Sequence, residues 1–215
     1  MNWAIWPIGS QALSSVYYRH RTGVIERITT IAEDGVTFRI PVNLSVQQAV
    51  GIELSGSQDI TDWWTLSGNL NFYGSETEGS YDTTLFYAQT LALNTRINSR
   101  MTLPADIRLQ VSGSYNAPQV TPQGRQLARY DMDLGLAKQV MKDKGTLTLS
   151  VRDVFNSNRW RDITNTDDFY RESNFQWRVR QISLSFTYRL NQDNQEKGRK
   201  EGRGGQGEGF DGGDM

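Results

Sequence analysis

The sequence predicts an all-β protein: an antiparallel transmembrane β-barrel, about eight strands of a larger barrel, with a disordered tail after it. Three observations predict this class. Period-two alternation of apolar and polar residues recurs along the chain, the links between runs alternate short and long, and aromatics gather near the run ends. Composition agrees. Hydrophobic residues are 37% of the 215 and charged residues 22%; Ser, Thr, Asn, Gln and 20 glycines fill the deficit. Gly, Ser, Thr and Asn are weak helix formers, and the set suits strands with one uncharged polar face.

The elements follow in chain order. Residues 12–21 match the alternation imperfectly and carry Tyr17, Tyr18 and several basic residues. Val50, Ile52 and Leu54 oppose Gly51, Glu53 and Ser55. In WTLSGNLNFYG, Trp64, Leu66, Leu70 and Phe72 share one parity, and Thr65, Ser67, Asn69 and Asn71 the other. In the run from Leu85 to Met101, Leu85, Tyr87, Leu91, Leu93, Ile97 and Met101 oppose Ala88, Thr90, Ala92, Asn94, Arg96 and Asn98. Ile107, Leu109, Val111 and Tyr115 then oppose Arg108, Gln110, Ser112, Ser114 and Asn116. Residues 130–136, 147–151 and 182–190 repeat the pattern. Several runs exceed the roughly 5–6 residues of an ordinary strand and reach the roughly 9–11 that a tilted membrane strand needs.

Links 59–64, 102–107 and 141–146 are short and turn-like, whereas 22–48, 76–84, 118–128 and 156–174 are long and polar. Within the first long link, VIERITTI and VTFRI can prolong the flanking strands as a hairpin. Outer-membrane barrels have this asymmetry, with short periplasmic turns and longer extracellular loops. Trp63 and Trp64 sit beside a short turn, Tyr188 lies near the end of the last run, and Phe72, Tyr73, Tyr87 and Tyr115 lie near the long-link ends. Two interfacial rings of aromatics would be placed so, although strands are rich in aromatics generally. The polar parity carries little charge in mid-strand, which suits a lumen. A soluble lipocalin-like barrel inverts that logic, with an apolar interior and a charged exterior. Alternation alone leaves open which face is outside.

Other chemistry finds little support. A net charge of -1 gives no reason to expect nucleic acid. The absence of cysteine excludes thiolate metal sites, disulfides and cysteine nucleophiles. No apolar run approaches the roughly 20 residues of a membrane helix. MNWAIWPIGSQALSS lacks a basic start and is broken at Pro7, so it reads as a poor signal peptide. Either the protein is cytoplasmic or the chain lacks its natural beginning. The single histidine, His20, reads as a solvated strand-end residue. Asp131 with Asp133, and Asp167 with Asp168, lack the spacing of a known cation loop. Residues 202–213 are glycine-rich without a flanking strand or helix, so they are no phosphate loop. The expectation is a protein that is not an enzyme, with no catalytic residue, metal or cofactor. The long links are the expected cargo surface, notably Asn158, Arg159, Trp160, Arg161, Asp167 and Asp168. Arg159, Arg161, Arg178 and Arg180 read first as a solvated, mixed-charge rim, and second as an attractant for anionic cargo or lipopolysaccharide.

The last run, RQISLSFTYRL, resembles the outer-membrane β-signal, a polar–x–Gly–x–x–apolar–x–aromatic pattern read by the barrel-assembly machinery. Gln181, Ser183, Phe186 and Tyr188 match it, with Ser in place of Gly. Taken in order, RTGVIERITTI, DGVTFRIPVNL, GIELSGS, YNAPQVTPQGR, LTLSVRDVFNSNRW and RQISLSFTYRLN resemble the C-terminal barrel portion of Bacteroidota-type TonB-dependent outer-membrane receptors, over nearly all of residues 10–191. The resemblance implies a plugged barrel that imports siderophores, glycans, peptides or similar cargo. Its partners would be outer-membrane lipid, the barrel-assembly machinery and, only through a missing N-terminal region, the TonB complex. The signal peptide, plug and first strands of that family are not in this sequence. The expected organisation is a lead-in at 1–9, barrel strands and loops at 10–190, and a disordered tail at 191–215 in the periplasm. Two alternatives stay open: a self-contained small outer-membrane barrel acting as anchor or adhesin, and a soluble ligand-binding β-barrel.

Overall fold

The computed structural model describes residues 10–32, 34–81, 84–142 and 144–190; the expected lead-in and tail lie outside the described residues. The strands are β1 (Gln11–Ile31), β2 (Thr37–Thr61), β3 (Trp64–Tyr81), β4 (Thr84–Leu103), β5 (Ile107–Asn116), β6 (Gln119–Thr121), β7 (Gly124–Gln126), β8 (Arg129–Val140), β9 (Gly145–Arg152), β10 (Trp160–Asn165), β11 (Tyr170–Phe175) and β12 (Gln181–Tyr188). Eight of them form an antiparallel meander in the order β1-β2-β3-β4-β5-β8-β9-β12, and four form a second sheet in the order β11-β10-β7-β6. No helix occurs among the described residues.

The ladders keep every apolar parity on one face of the large sheet. Tyr18, Val50, Gly74 and Leu91 lie side by side on β1 to β4. Met101, Leu109, Leu136, Leu149 and Leu184 continue the same face across β4, β5, β8, β9 and β12. A one-residue slip at any ladder would break that continuity, so the pattern itself specifies the register. The apolar face stays uncovered: Val16 is 76% and Leu184 68% exposed. Among the described residues the buried hydrophobics are Ile28, Ala49, Ala88 and Ala92. A fold that buries one isoleucine and three alanines does not gain its stability from a protein core.

On β3 the apolar band runs over residues 64–74, about eleven residues, the height of a tilted membrane strand. Above it the same parity turns acidic, with Glu76 beside Gln48 and Gln89, and Glu78 beside Val46 and Tyr87. Strands β1 to β4, at 18 to 25 residues, therefore project well past the band. Two expected links are largely strand for this reason. The stretch 76–84 belongs mostly to β3 and β4, and 22–48 forms the long hairpin that VIERITTI and VTFRI allowed, closed by residues 32–36. Gly23, at φ 67°, sits in the β-bulge between Thr22 and Ile25. A bulge with left-handed glycine bends a strand, and here it divides the hairpin from the wall.

The short links 62–63, 104–106 and 141–144 lie at the opposite end, together with the start of β1 and the end of β12. Ala105, Asp106, Met141 and Lys142 take positive φ there, the twist that tight hairpins demand. No ladder joins β12 to β1 among the described residues, so the sheet keeps two edges, a strand of 21 residues and one of 8.

Candidate ligand cleft

The polar face carries the site. Across β1, β2 and β3 it is knitted by Tyr17, whose ring lies over Gly51 and whose hydroxyl donates to Asn71 Oδ1 at 3.0 Å. A Cβ on Gly51 would lie 2.6 Å from that hydroxyl and 2.7 Å from the Tyr73 Cβ, so only glycine admits the ring. Further along, Ser114 Oγ donates to Asp131 Oδ1 at 2.6 Å, and Asp133 Oδ1 accepts the Asp153 amide at 2.8 Å. Asp131 and Asp133, one of the two carboxylate pairs considered for a cation, are thus engaged in holding the wall. No cluster of three or more metal-ligating side chains occurs among the described residues.

The small sheet lies over this polar face. Gln119 Nε2 donates to the Tyr73 hydroxyl at 2.9 Å and the Val120 amide to Thr90 Oγ1 at 3.1 Å. Tyr73, expected among the interfacial aromatics, therefore points away from the apolar band. It follows Phe72 directly, and adjacent strand residues point to opposite faces. At the far side Gln123 acts as one more strand: it accepts the Thr29 amide at 2.8 Å and donates to the Thr29 carbonyl at 3.0 Å. That exchange ties the upper hairpin to the small sheet and leaves Ile28 and Thr29 almost fully buried. Glu26, in the same hairpin, has its carboxyl pushed up from the usual range by burial.

The turn after β9 sets the roof. Asp153, buried and at φ 51°, accepts the Ser157 amide at 2.8 Å through Oδ1 and the Asn158 amide at 3.0 Å through Oδ2. Asn156 Oδ1 accepts from the Gln176 side chain at 2.8 Å and the Arg180 amide at 3.0 Å. The motif VRDVFNSNRW thus ends in a folded clamp, and the clamp carries Asn158 and Trp160 over the wall.

Between wall and roof lies a cleft of about 580 Å³. Asn69, Asn94, Arg96, Ser114, Asn116, Arg129 and Asp131 line its floor, and Asn158, Trp160, Trp177 and Arg178 its rim. The Arg129 guanidinium stacks 3.9 Å over the Trp160 ring. Asn94 Oδ1 is buried without a hydrogen-bond partner. Of the expected loop contacts, Asn158 and Trp160 reach this cleft. Arg159 and Arg161 line a smaller neighbouring cavity, where Arg161 also donates to the Ala128 carbonyl at 3.1 Å. Asp167 and Asp168 sit apart in the β10–β11 turn. Of the floor residues, Asp131 was considered from sequence for a cation; the others were not proposed as site residues, although their polar parity was the signal that could have found them.

The remaining expected sites fall as follows. Trp63 and Trp64 stack at 6.2 Å at the short-turn end, and Phe186 and Tyr188 stack at 6.4 Å at the foot of β12. Phe72 lies within the apolar band between Ile52 and Leu93, Tyr115 pairs with Tyr130, and Tyr87 stands above the band. Gln181 and Ser183 share the polar face of β12, and Phe186 and Tyr188 its apolar face. His20 pairs with Gln48 where the band ends.

An antiparallel wall with one apolar band, tight turns at one end and polar loops folded over its inner face is the build of a β-barrel membrane protein. The chain belongs to the outer membrane protein beta-barrel family, whose model matches residues 8–188. No curated protein and no solved structure gave a match.

Proposed function

We propose that the chain is the C-terminal wall segment of a TonB-dependent outer-membrane receptor, which imports cargo and makes or breaks no bonds. The observation that carries this reading is the open sheet: eight strands in meander order with no ladder between β1 and β12 among the described residues. A wall of that kind needs further strands to close, as a wide, plugged transporter supplies. The inward-folded loop sheet, lying where cargo would pass, supports the same reading. In it the apolar band meets lipid, the short turns and residues 191–215 face the periplasm, the barrel-assembly machinery recognises β12, and TonB engages through a region outside this sequence.

The test uses the lack of native cysteine. One cysteine is placed at Leu184 and a second at Ser14, Val16 or Tyr18 in turn, and each isolated chain is refolded in detergent. The expected result is no internal cross-link and no heat-modifiable band. An efficient cross-link for any pair would make the chain a self-contained small barrel, eight strands being enough to close one. Co-purification of TonB with the full-length protein tests the receptor part separately.

A further inference from the structure

The cleft has a chemistry of its own, and we infer that it takes an anionic saccharide, an oligomer of uronic or sulfated sugars, as cargo. The inference rests on the receptor reading above and adds the substrate class. Three guanidiniums, from Arg96, Arg129 and Arg178, face it against one carboxylate, Asp131, which already accepts a hydrogen bond from Ser114. The balance is therefore positive, and a carboxylate or sulfate is the group that restores it. Arg129 is held ready for such a group. Stacking on Trp160 occupies the face of the guanidinium and leaves its in-plane N–H fork for a planar or tetrahedral oxyanion.

A simple anion would not use the rest of the lining. Asn69, Asn94, Asn116 and Asn158 offer both donors and acceptors, the complement of vicinal hydroxyls. Trp177 is 76% exposed at the rim, which leaves an aromatic face for the apolar C–H side of a pyranose ring. A volume of about 580 Å³ lies within the roughly 300–1,000 Å³ of small-ligand sites and fits two or three sugar rings. The cleft opens on the polar face, away from the apolar band, so lipopolysaccharide in the membrane is not the ligand it is placed to meet.

The full-length protein in lipid nanodiscs is titrated calorimetrically with trigalacturonate and, separately, with neutral maltotriose. Trigalacturonate is expected to bind at least about tenfold more tightly, and its affinity to fall as salt is raised. Arg178→Gln, at the exposed rim, should weaken it about tenfold while leaving the heat-modifiable band unchanged, and Arg96→Gln should do the same from the floor. Equal binding of both trimers, no binding of either, or indifference to both substitutions overturns the inference. Displacement of the trimer by purified lipopolysaccharide at equal concentration overturns the choice of a soluble cargo. If TonB still co-purifies while trigalacturonate fails, the substrate class falls and the receptor reading stands.

Discussion

The two sheets are held by different means. The eight-stranded wall is joined by long backbone ladders, interrupted by bulges in β1–β2 and β2–β3, and its residues share faces because the side-chain period is two. The four-stranded sheet has strands as short as three residues, and particular side chains fasten it: Gln123 to Thr29, Gln119 to Tyr73, Arg161 to Ala128 and Asp153 to its own turn. The wall should therefore tolerate many substitutions that keep parity, whereas the small sheet should fail at single residues.

The largest effect that would break this contrast is a charge on the wrong face of the wall. Ile97, 52% exposed in mid-band between Gly68 and Gly113, is such a position. Ile97→Arg should cost about 2–4 kcal/mol in urea titrations of the full-length protein folding into liposomes, whereas Asn98→Arg on the polar face should cost well under half of that. Equal costs would mean that the apolar band does not meet lipid.

Next comes the clamp. Asp153→Ala removes an acceptor that serves two backbone amides and puts alanine at a positive φ that Asp tolerates better. A loss of about 1–3 kcal/mol in local opening is expected, read as faster amide exchange at Ser157 and Asn158 with the wall unchanged. Asp153→Asn should recover part of it. Smaller again is Gln123→Ala, which deletes the two hydrogen bonds to Thr29 and should loosen residues 24–31 by about 1–2 kcal/mol of exchange protection.

The smallest effect is one of pH. Burial raises the Glu26 carboxyl in the folded hairpin, so the folded state holds that proton more tightly than the unfolded state does. Its contribution to hairpin stability is full below the unfolded carboxylate range and falls as pH rises through the raised value. Glu26→Gln should flatten the pH dependence of exchange at residues 24–31, and a dependence that survived the substitution would belong to another group.

Much of the wall was legible because alternation is a local property. Leu85 to Met101 and Ile107 to Tyr115 announce their faces without any neighbour, and the ladders only align them. The loop strands were not legible: QVT and GRQ are too short to alternate and too polar to read as strands. Asn158, Trp160, Arg178 and Asp131, all named from the sequence in one role or another, line the cleft. The rest of its floor was not legible, because Asn69, Asn94, Ser114 and Arg129 meet only once β3, β4, β5 and β8 are paired in register. Tyr73 was misplaced by proximity to a loop, when its parity already opposed Phe72.

By itself, then, the sequence determined the strand class, the two faces and the end that carries the tight turns, all of which follow from a side-chain period of two and from turn chemistry within a few residues. The tertiary structure alone decided that the polar loops fold inward, that Arg129 stacks on Trp160 and that β1 and β12 form no ladder with each other among the described residues. Those are contacts between residues tens of positions apart, and no local pattern encodes which distant groups will share a space.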